Sequence, residues 1–580
     1  MACDGTPPVP LIDLVRAVRS GKRYVEVNAD TLAPISDALR QLLDPLARAA
    51  VLHQNKVEVP LGAVAAAPRD FAVLGPEAAS FVAELESKWR QADEDAQQFA
   101  AAPFNLFPCQ LAGTAWLLRT ASWSTGALLA DEMGVGKTRQ VLAFLFARRA
   151  LGPALVIAPA GLVREKWGHA DGLSGPKGGG IYLGSSGLGM HVVRLADSET
   201  YGDDWGRRPR NVAVASYEYA ARYADDLKKT RWATVVFDEG HYLKNTQAQR
   251  TRALLDVDAG FKIVVTGTPL ENHVGEVWSI AQFFAPGLLG TQAEFRDRYG
   301  KPAVDGTQDE RREVARDLAA AIAPFQLRRR LRDVERGMPK LDQVVVPVAL
   351  APEERAIYEE QRQQAERGVR EVLAQLPETR QKFSALQLLG KLREVCACPG
   401  IHKESFSGPG TKIELLAEMV AANAAAGDQA LVFSQWTRVL DRAEPVLAAL
   451  GLRVARIDGT RSASERSMAQ QRLRTGQLDV LLLTLGAGGV GLDLQAANHV
   501  YLLDPWWNPQ REAQAIARAW RKLQDKPVVA TRLIVADSVE EKMRKLAEDK
   551  ADLFHNLMDT SDAAFGEAVT VREILQLVQR

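Results

Sequence analysis

The sequence contains few cysteines and no pair of them spaced like zinc ligands. Four of the 580 residues are cysteine, Cys3, Cys109, Cys396 and Cys398, and none forms a C-x-x-C pair. The Cys-Ala-Cys segment has no second pair to complete a tetrahedral site, so we expect no structural zinc. Thiols this scarce are typical of a reducing compartment, and we expect the protein in the cytoplasm.

The sequence also lacks a net charge and a long apolar run. Its 72 Lys and Arg residues offset 72 Asp and Glu residues, so any attraction for nucleic acid must come from a local basic surface. No apolar run reaches the ~20 residues of a membrane span, and the N-terminus lacks the basic start and apolar core of a secretory signal. We therefore expect a globular protein of several domains with no membrane partner.

What is present is two sets of short apolar runs that alternate with helical patterns. The first set reads GALLA, ALVIAP, NVAVASY, ATVVFDE and KIVVTGT, and the second reads QALVFSQ, RVARIDG, DVLLLTL, HVYLLDP and ATRLIVA. Buried parallel strands with crossover helices give this pattern. The sequence therefore predicts an α/β protein with two parallel-sheet lobes in tandem, helical insertions and a small N-terminal region.

The domain limits follow from these two sets and from the charged, helix-rich stretch between them. We predict an N-terminal accessory region at 1–100, a first lobe at 101–285, helical insertions and a linker at 286–425, a second lobe at 426–560 and a C-terminal tail at 561–580. The glycine-rich segment SGPKGGGIYLGSSGLG has no following lysine or helix start, so we interpret it as a surface loop.

One stretch of the first lobe, LLADEMGVGKTRQVLAFL, has the context of a phosphate-binding loop. An apolar strand leads into Gly134-Val135-Gly136-Lys137-Thr138, and a helical pattern follows. Backbone amides of such a turn cradle phosphate oxygens, the lysine reaches the β- and γ-phosphates, and the threonine hydroxyl binds Mg²⁺. Alone, the motif is also compatible with a tight turn that carries a surface lysine.

A second strand supports the functional interpretation. WATVVFDEGHYLKN is a buried strand that ends in Asp238 and Glu239. The first carboxylate can hold Mg²⁺, and the second can orient and activate the attacking water. The two motifs together predict hydrolysis of a nucleoside triphosphate with Mg²⁺ as a cofactor.

Three motifs follow one another along the chain in the order DEMGVGKT, DEGH and TGTP. In these motifs the chain resembles the superfamily-two helicase-like ATPases, in particular the Swi/Snf-type translocases on double-stranded DNA. The resemblance covers roughly residues 106–557 and implies two RecA-like lobes. It also implies a DNA-stimulated ATPase and helicase-like hydrolase with ATP and Mg²⁺ as cofactors, whose partner is double-stranded DNA, bound without regard to sequence. We expect a prokaryotic or phage member located with the nucleoid.

The resemblance assigns roles to individual residues. It places Gln110 at the adenine, Gly491, Asp493 and Gln514 near the nucleotide, and Arg518 and Arg521 in the catalytic set with Lys137, Asp238 and Glu239. Thr266 and Gly267 would couple hydrolysis to lobe movement. The positions expected along the DNA are Pro159, Ser216, Thr268, Ser434, Gln435, Thr484, Gly488 and Trp506.

The two arginines also have a physical rationale. Negative charge on the γ-phosphoryl oxygens grows in the transition state, and a guanidinium from the opposite lobe can neutralise it. Without the motifs around them, Arg518 and Arg521 would be read as surface charges of a helix. Ala517, Trp520 and Leu523 replace a glycine, a histidine and a glycine that are usual in the family.

A basic cluster, Arg328, Arg329, Arg330, Arg332 and Lys340, is expected beside the DNA by resemblance, or else in a solvated linker. No module that selects a target is visible, so we expect a protein partner to supply targeting. The alternative function is the motor or helicase subunit of a nuclease or anti-phage defence complex. A non-enzymatic scaffold would require a broken motif, and RNA remains open as the track.

Overall fold

The structure, a computed structural model, describes most residues between 9 and 579. The described residues are 9–28, 31–37, 39–40, 43, 51–52, 57–58, 61–72, 75–102, 104–163, 167, 191–195, 211–244, 249–267, 274–334, 338–403, 405–484, 494–506, 509–521, 524–546 and 571–579. They form two parallel sheets in tandem along the chain, preceded by a smaller unit. The predicted fold class is confirmed.

The N-terminal unit has a small core of its own. Its strands are β1 (Tyr24–Asn28), β2 (Thr31–Pro34), β3 (Val51–Leu52) and β4 (Val57–Glu58), and its helices are Leu11–Arg19, Leu61–Ala66, Pro68–Ala72 and Pro76–Gln97. Val15, Val25 and Phe71 are buried together in this core. The last of these helices packs along the helix Pro108–Thr120 of the first lobe, so the unit lies against that lobe.

The first lobe is built on a parallel sheet. Its strands are β5 (Gly126–Leu129), β6 (Ala154–Ala158), β7 (His191–Arg194), β8 (Asn211–Ser216), β9 (Thr234–Asp238), β10 (Lys262–Val265) and β11 (Gln326–Leu327). They lie in the order β11-β5-β10-β9-β6-β8-β7. The five apolar runs of the first set are strands β5, β6, β8, β9 and β10, whereas β7 and β11 were not predicted.

Both faces of this sheet are buried. Ala127 and Leu129 pack on one face, and Leu128, which lies between them, packs on the other. Because successive side chains of a strand alternate between faces, burial on both sides favours apolar residues at nearly every position. The helices of this lobe up to β10 are Pro108–Thr120, Lys137–Ala147, Ala160–Leu162, Tyr217–Arg222, Ala224–Leu227 and Gln249–Leu255.

A helical region follows β10 and returns the chain to the edge of the same sheet. It contains the helices Gly275–Phe284, Gln292–Phe295, Lys301–Asp305 and Gln308–Ile322 and the π-helical turn Arg296–Gly300. β11 then pairs with β5, and the chain crosses to the second lobe within residues 328–340. The range predicted as insertions and linker thus also supplies a strand to each sheet; the domain limits themselves stay a prediction.

The second lobe repeats the architecture. Its strands are β12 (Leu341–Val348), β13 (Ala430–Ser434), β14 (Val454–Ile457), β15 (Val480–Thr484), β16 (His499–Leu502) and β17 (Val528–Val535), in the parallel order β12-β17-β16-β13-β15-β14. The helices from the crossing onward are Leu331–Val334, Pro352–Gln375, Glu378–Ala397, Thr411–Ala425, Thr437–Ala449, Ala463–Arg474, Pro509–Ile516, 539–546 and Val571–Val578. Within the described ranges, none of the helices has the length and apolarity to cross a bilayer.

Candidate active site

Three neighbouring strand ends in the first sheet carry the predicted catalytic motifs. Leu129, the last residue of β5, lies opposite Val265 of β10, and Val265 lies opposite Asp238 of β9. The glycine-rich turn, the Thr266–Gly267 turn and the Asp238–Glu239 pair therefore lie side by side at the carboxyl ends of their strands. We call this row of strand ends the carboxyl edge of the sheet. This edge is where an open parallel sheet binds its ligand.

The turn after β5 has the conformation of a phosphate-binding loop. Gly134 and Gly136 have φ angles of +94° and +96°, in the left-handed region that favours glycine. A Cβ on Gly136 would lie 2.2 Å from Nε2 of Gln110, so this position has no room for a side chain. The helix Lys137–Ala147 begins directly after it, and the N-terminus of a helix favours bound anions.

Lys137 lies between two of the motifs. Its Nζ donates a hydrogen bond to the main-chain oxygen of Asp131 at 2.7 Å. The same Nζ is 3.6 Å from the position that a Cβ on Gly267 would occupy. Thr138, the next residue, is half-buried. The structure thus brings the lysine to the edge where phosphate is expected, while the roles of Lys137 and Thr138 stay predictions.

Gln110, the expected adenine contact, is buried against the glycine-rich turn. Its Nε2 donates to the main-chain oxygen of Val135 at 3.2 Å, and its Oε1 accepts from the main-chain N–H of Phe107 at 3.2 Å. The side-chain amide therefore joins the start of the helix Pro108–Thr120 to the turn. A contact with adenine stays a prediction.

The carboxylate of Asp238 is held on both of its oxygens. Nε1 of Trp167 donates to Oδ2 at 2.8 Å, and the main-chain N–H of Glu239 donates to Oδ1 at 3.0 Å. The hydroxyl of Tyr217 donates to the main-chain oxygen of Asp238 at 2.9 Å. Because each carboxylate oxygen has a second lone pair, an oriented Asp238 keeps the capacity to hold Mg²⁺ directly or through water.

Glu239 has an unusual backbone conformation. Its φ is +53°, in the left-handed region that non-glycine residues seldom adopt. Its Oε2 lies 3.4 Å from Nδ1 of His241. A Cβ on Gly240 would lie 2.4 Å from Cγ1 of Val264, so the backbone here is pressed against β10. Strained residues of this kind are common in active sites, which supports the role predicted for Glu239.

Asp131 stands where the common phosphate-loop motif has its first glycine, and its carboxylate is fully buried. Arg329 donates to both carboxylate oxygens, from Nε to Oδ1 at 3.0 Å and from Nη2 to Oδ2 at 2.6 Å. Nε2 of Gln140 donates to Oδ2 at 3.2 Å. The motif departs from the common form because this position anchors the loop.

The expectation that Arg329 belongs to a DNA-facing cluster is wrong. The chain after β11 continues to pair with the chain after β5, through Ala130 N–H to Leu327 O at 2.8 Å and Glu132 N–H to Arg329 O at 2.9 Å. This pairing turns the Arg329 side chain inward, where only 17% of it is exposed. Within the cluster, the exposed side chains are those of Arg332 and Lys340.

The Asp131–Arg329 pair leads to a stability prediction. Asp131→Ala leaves the Arg329 guanidinium buried without its partner, which costs on the order of 3–5 kcal/mol of unfolding free energy. Urea unfolding, followed by the fluorescence of the tryptophans, would show a lower midpoint. Lys88→Ala breaks the exposed Lys88–Glu84 pair and is the control, expected to leave the midpoint in place. Equal midpoints for the two variants would contradict the assignment.

The two arginines predicted to act from the second lobe follow the helix Pro509–Ile516. Arg518 is 2% exposed, so it is not a surface charge. Nε of Arg521 donates to the main-chain oxygen of Ala517 at 2.9 Å. Gln514 is half-buried on the preceding helix. Gly491, Asp493 and Leu523 lie outside the described residues.

Trp520, which stands in place of the expected histidine, joins the second lobe to the glycine-rich turn. Its Nε1 donates to the main-chain oxygen of Pro339 at 2.8 Å. Its ring packs against a small cluster that contains Cys109, Val135 and Leu331. Because Val135 lies between the two glycines of the turn, Trp520 connects the segment that carries Arg518 and Arg521 to the phosphate-binding side.

The residues expected along the DNA lie at strand ends in both lobes. Ser216 at the end of β8 is opposite Ala158 of β6, so Pro159 and Ser216 leave the first sheet side by side. Ser434 and Thr484 are opposite each other at the ends of β13 and β15. Thr268 and Gly488 lie outside the described residues, and contact with DNA stays a prediction for the whole set.

Gln435 and Trp506 are held by buried carboxylates of the second lobe. The main-chain N–H of Gln435 donates to Oδ2 of Asp504 at 2.7 Å, and that of Trp506 donates to Oε1 of Glu512 at 2.8 Å. Burial raises the pKa of Asp504 to about 6. The Trp506 ring packs partly against the core of the second lobe.

Sequence reasoning missed three positions that the structure ties to this site. Trp167 closes the segment VIAPAGLVREKW, but nothing in its spacing shows that its indole reaches β9. Arg329 is separated from Asp131 by 198 residues. Trp520 appeared only as a departure from the family pattern. In each case the signal is a contact between distant segments, which a single sequence does not display.

Two family models match the chain. A model of the SNF2-related domain matches residues 109–401, and a model of the helicase conserved C-terminal domain matches residues 411–522. The first match alone covers half of the chain. It includes the glycine-rich turn and the Asp238–Glu239 pair, and the second match includes Arg518 and Arg521.

Curated relatives agree with these models. The "Putative ATP-dependent helicase/translocase YwqA" of Bacillus subtilis (strain 168) is 30% identical over 475 residues, 79% of this chain and 49% of the relative. The ISWI chromatin-remodeling complex ATPase ISW1 of Saccharomyces cerevisiae is 29% identical over 465 residues, 77% of this chain and 40% of the relative. The ATP-dependent DNA helicase DDM1 of Arabidopsis thaliana is 30% identical over 476 residues, 77% of this chain and 61% of the relative. The chain thus spans about half the length of these relatives.

Among solved structures, the SWI2/SNF2 ATPase core of Sulfolobus solfataricus in complex with dsDNA is 25% identical and covers 81% of this chain and 96% of its own, with a TM-score of 0.37. The family assignment depends on the two family models and on the motifs, which occur along the chain in the order that is typical of the family. The chain belongs to the SNF2-related family of helicase-like ATPases.

Proposed function

We propose that the chain is an ATP-dependent translocase on double-stranded DNA, which remodels or displaces DNA-bound proteins without separating the strands. The observation that carries this proposal is the strand register that sets Lys137, Gly267 and Asp238 at one edge of the first sheet. Support comes from a Bacillus relative named as a helicase/translocase and from a yeast relative named as a chromatin-remodeling ATPase.

The residues of the edge suit the hydrolysis of ATP. Lys137 and the amides of the glycine-rich turn bind the phosphates, and Thr138 and Asp238 would hold Mg²⁺, which when bound neutralises phosphate charge. Glu239 orients the attacking water and accepts its proton. Gln110, Gln514, Gly491 and Asp493 complete the contacts to the nucleotide.

The two lobes couple ATP hydrolysis to a cycle of closing and opening. Arg518 and Arg521 stabilise the transition state only when the second lobe lies against the first, so closure follows ATP binding and opening follows product release. Loops at the strand ends of both lobes, including Pro159, Ser216 and Ser434, would grip phosphates of the DNA. Alternate gripping by the lobes moves the chain along its track.

The rate of ATP turnover with different nucleic acids tests which of them the motor moves along. It should be measured without nucleic acid and with duplex DNA, single-stranded DNA or RNA, together with displacement of a third strand from a triplex. We expect the largest stimulation from duplex DNA and ATP-driven displacement without unwinding of a forked duplex. Unwinding of the fork would instead support the alternative, a helicase or motor subunit of a nuclease or defence complex.

The setting of this activity is also a proposal. We propose a prokaryotic source, in keeping with the bacterial relative, and a location in the cytoplasm with the nucleoid. A protein partner would direct the motor to its targets, in keeping with a yeast relative that is named as the ATPase of a chromatin-remodeling complex. Purification of the tagged chain with and without DNase would separate a protein partner from proteins held by DNA.

Binding to DNA should depend steeply on salt. Each phosphate neutralised contributes about −0.9 to the slope of log affinity against log salt concentration. Arg332 is 66% exposed, and Arg332→Gln should make the slope less negative by about 1. Arg16→Gln in the N-terminal unit, where 51% of the side chain is exposed, is the control. Fluorescence anisotropy of labelled duplex DNA measures the salt dependence of binding for both variants. Equal slopes would place Arg332 away from the DNA.

A further inference from the structure

Two buried hydrogen bonds join the segments that follow β6 and β8 to Asp238, the last residue of β9. The Trp167 indole lies in the segment that begins at Pro159, and the Tyr217 hydroxyl comes from the residue directly after Ser216. Trp167 is 4% exposed and Tyr217 is 0% exposed. The strands β9, β6 and β8 are neighbours in the sheet, which is why these side chains reach Asp238.

Each bond constrains a different part of Asp238. The Trp167 bond to Oδ2, at 2.8 Å, sets the rotation of the carboxylate. The Tyr217 bond to the main-chain oxygen, at 2.9 Å, holds the backbone just before the strained Glu239. The Tyr217 ring also stacks on Tyr242, with centroids 5.1 Å apart and planes at 8°. A buried hydrogen bond to a carboxylate is among the stronger ones in proteins.

We propose that Trp167 and Tyr217 are positioning residues that orient Asp238 for Mg²⁺. We further propose that, when DNA binds at Pro159 and Ser216, these two side chains transmit the effect of binding to Asp238. The inference deepens the proposed function and rests on it. A DNA phosphate that displaces Pro159 or Ser216 would also move the indole or the hydroxyl, because both lie close by in the chain: Trp167 is eight residues after Pro159, and Tyr217 directly follows Ser216. Outer partners of a metal-ligating carboxylate change metal affinity by about 10–100-fold when they are removed.

The first test measures the metal without turnover. The affinity of a fluorescent ADP analogue is measured with Mg²⁺ and with EDTA, and the ratio of the two gives the gain due to the metal. Trp167→Phe, which keeps an aromatic ring but loses the N–H donor, should lower this gain by about 10-fold or more. Trp232→Phe is the matched control: Trp232 is 0% exposed and its Nε1 donates to Leu227 O at 3.0 Å, a bond that involves none of the site residues.

The second test measures transmission. The ratio of ATP turnover with and without duplex DNA should fall several-fold in Tyr217→Phe at saturating Mg²⁺. Tyr501→Phe is its control, because Tyr501 is 2% exposed and its hydroxyl accepts from Asn423 in the second lobe. Circular dichroism and the urea midpoint of each variant show that it is folded, and the two variants at separate positions keep the test open if one of them is unfolded.

The outcomes separate the inference from the proposed function. If wild type is stimulated by duplex DNA but Trp167→Phe matches Trp232→Phe and Tyr217→Phe matches Tyr501→Phe, the inference fails and the proposed function stands. If wild type is not stimulated by duplex DNA but Trp167→Phe lowers the Mg²⁺ gain, the proposed function fails and only the orientation of Asp238 is supported. A loss of both the Mg²⁺ gain and the stimulation supports the inference in full.

Discussion

Arg521→Gln is expected to hydrolyse ATP about 10³–10⁵-fold more slowly than wild type at saturating duplex DNA. The role proposed for the guanidinium is to neutralise charge that develops on the γ-phosphoryl oxygens in the transition state, which the neutral amide of glutamine cannot do. In the structure, Nε of Arg521 is held by Ala517 O, and the adjacent Trp520 contacts the cluster that includes Val135. Steady-state turnover in a coupled assay measures the effect.

Arg521 is the more informative of the two arginines to change. Arg518 is buried at 2% exposure, so its removal would combine a catalytic loss with a loss of stability. Arg474→Gln, an exposed arginine on the helix Ala463–Arg474, is the control. Binding of the fluorescent ADP analogue should survive in Arg521→Gln. Turnover within tenfold of the Arg474 variant would exclude Arg521 from the transition state.

Glu239→Gln is expected to reduce ATP turnover by about 10²–10⁴-fold while nucleotide binding is largely retained. Glutamine has the shape of glutamate but cannot accept the proton of the attacking water. The left-handed backbone at φ +53° and the tight contact of Gly240 with β10 hold this side chain at the sheet edge in either form. A single-turnover assay with labelled ATP measures the chemical step.

The neighbouring carboxylate provides the matched comparison. Asp238→Asn should lose turnover together with the Mg²⁺-dependent gain in affinity for the ADP analogue, because its oxygens would hold the metal ion. Glu239→Gln should lose turnover alone. Hydrolysis at the wild-type rate in Glu239→Gln would show that the base is another residue.

The repeated apolar runs were enough to predict ten strands of the two sheets. Strands such as β5 and β6 are buried on both faces, so every residue in them is apolar and the run is visible locally. The edge strands β7, β11 and β12 were missed. β11 is two residues long, and β12 is largely exposed along its length, so neither forms a buried apolar run.

The motifs at the strand ends were also predictable, because each depends on adjacent residues. Gly134, Gly136 and Lys137 form one turn, and Asp238 and Glu239 end one strand. Their meeting at one edge follows from parallel pairing, in which carboxyl ends coincide. The roles given to single residues of the second lobe rest on resemblance, and those roles stay predictions.

The sequence by itself determined the two-lobed α/β architecture and the family, because both can be recognised from local patterns of apolar residues, glycines and charges. Only the tertiary structure decided that Arg329 faces inward to Asp131, that Trp167 donates a hydrogen bond to Asp238 and that Trp520 packs against the cluster beside the glycine-rich turn. Each of these contacts links segments that are far apart in the chain. A side chain's partner across such a distance depends on strand order and register, which the packing of the whole sheet determines.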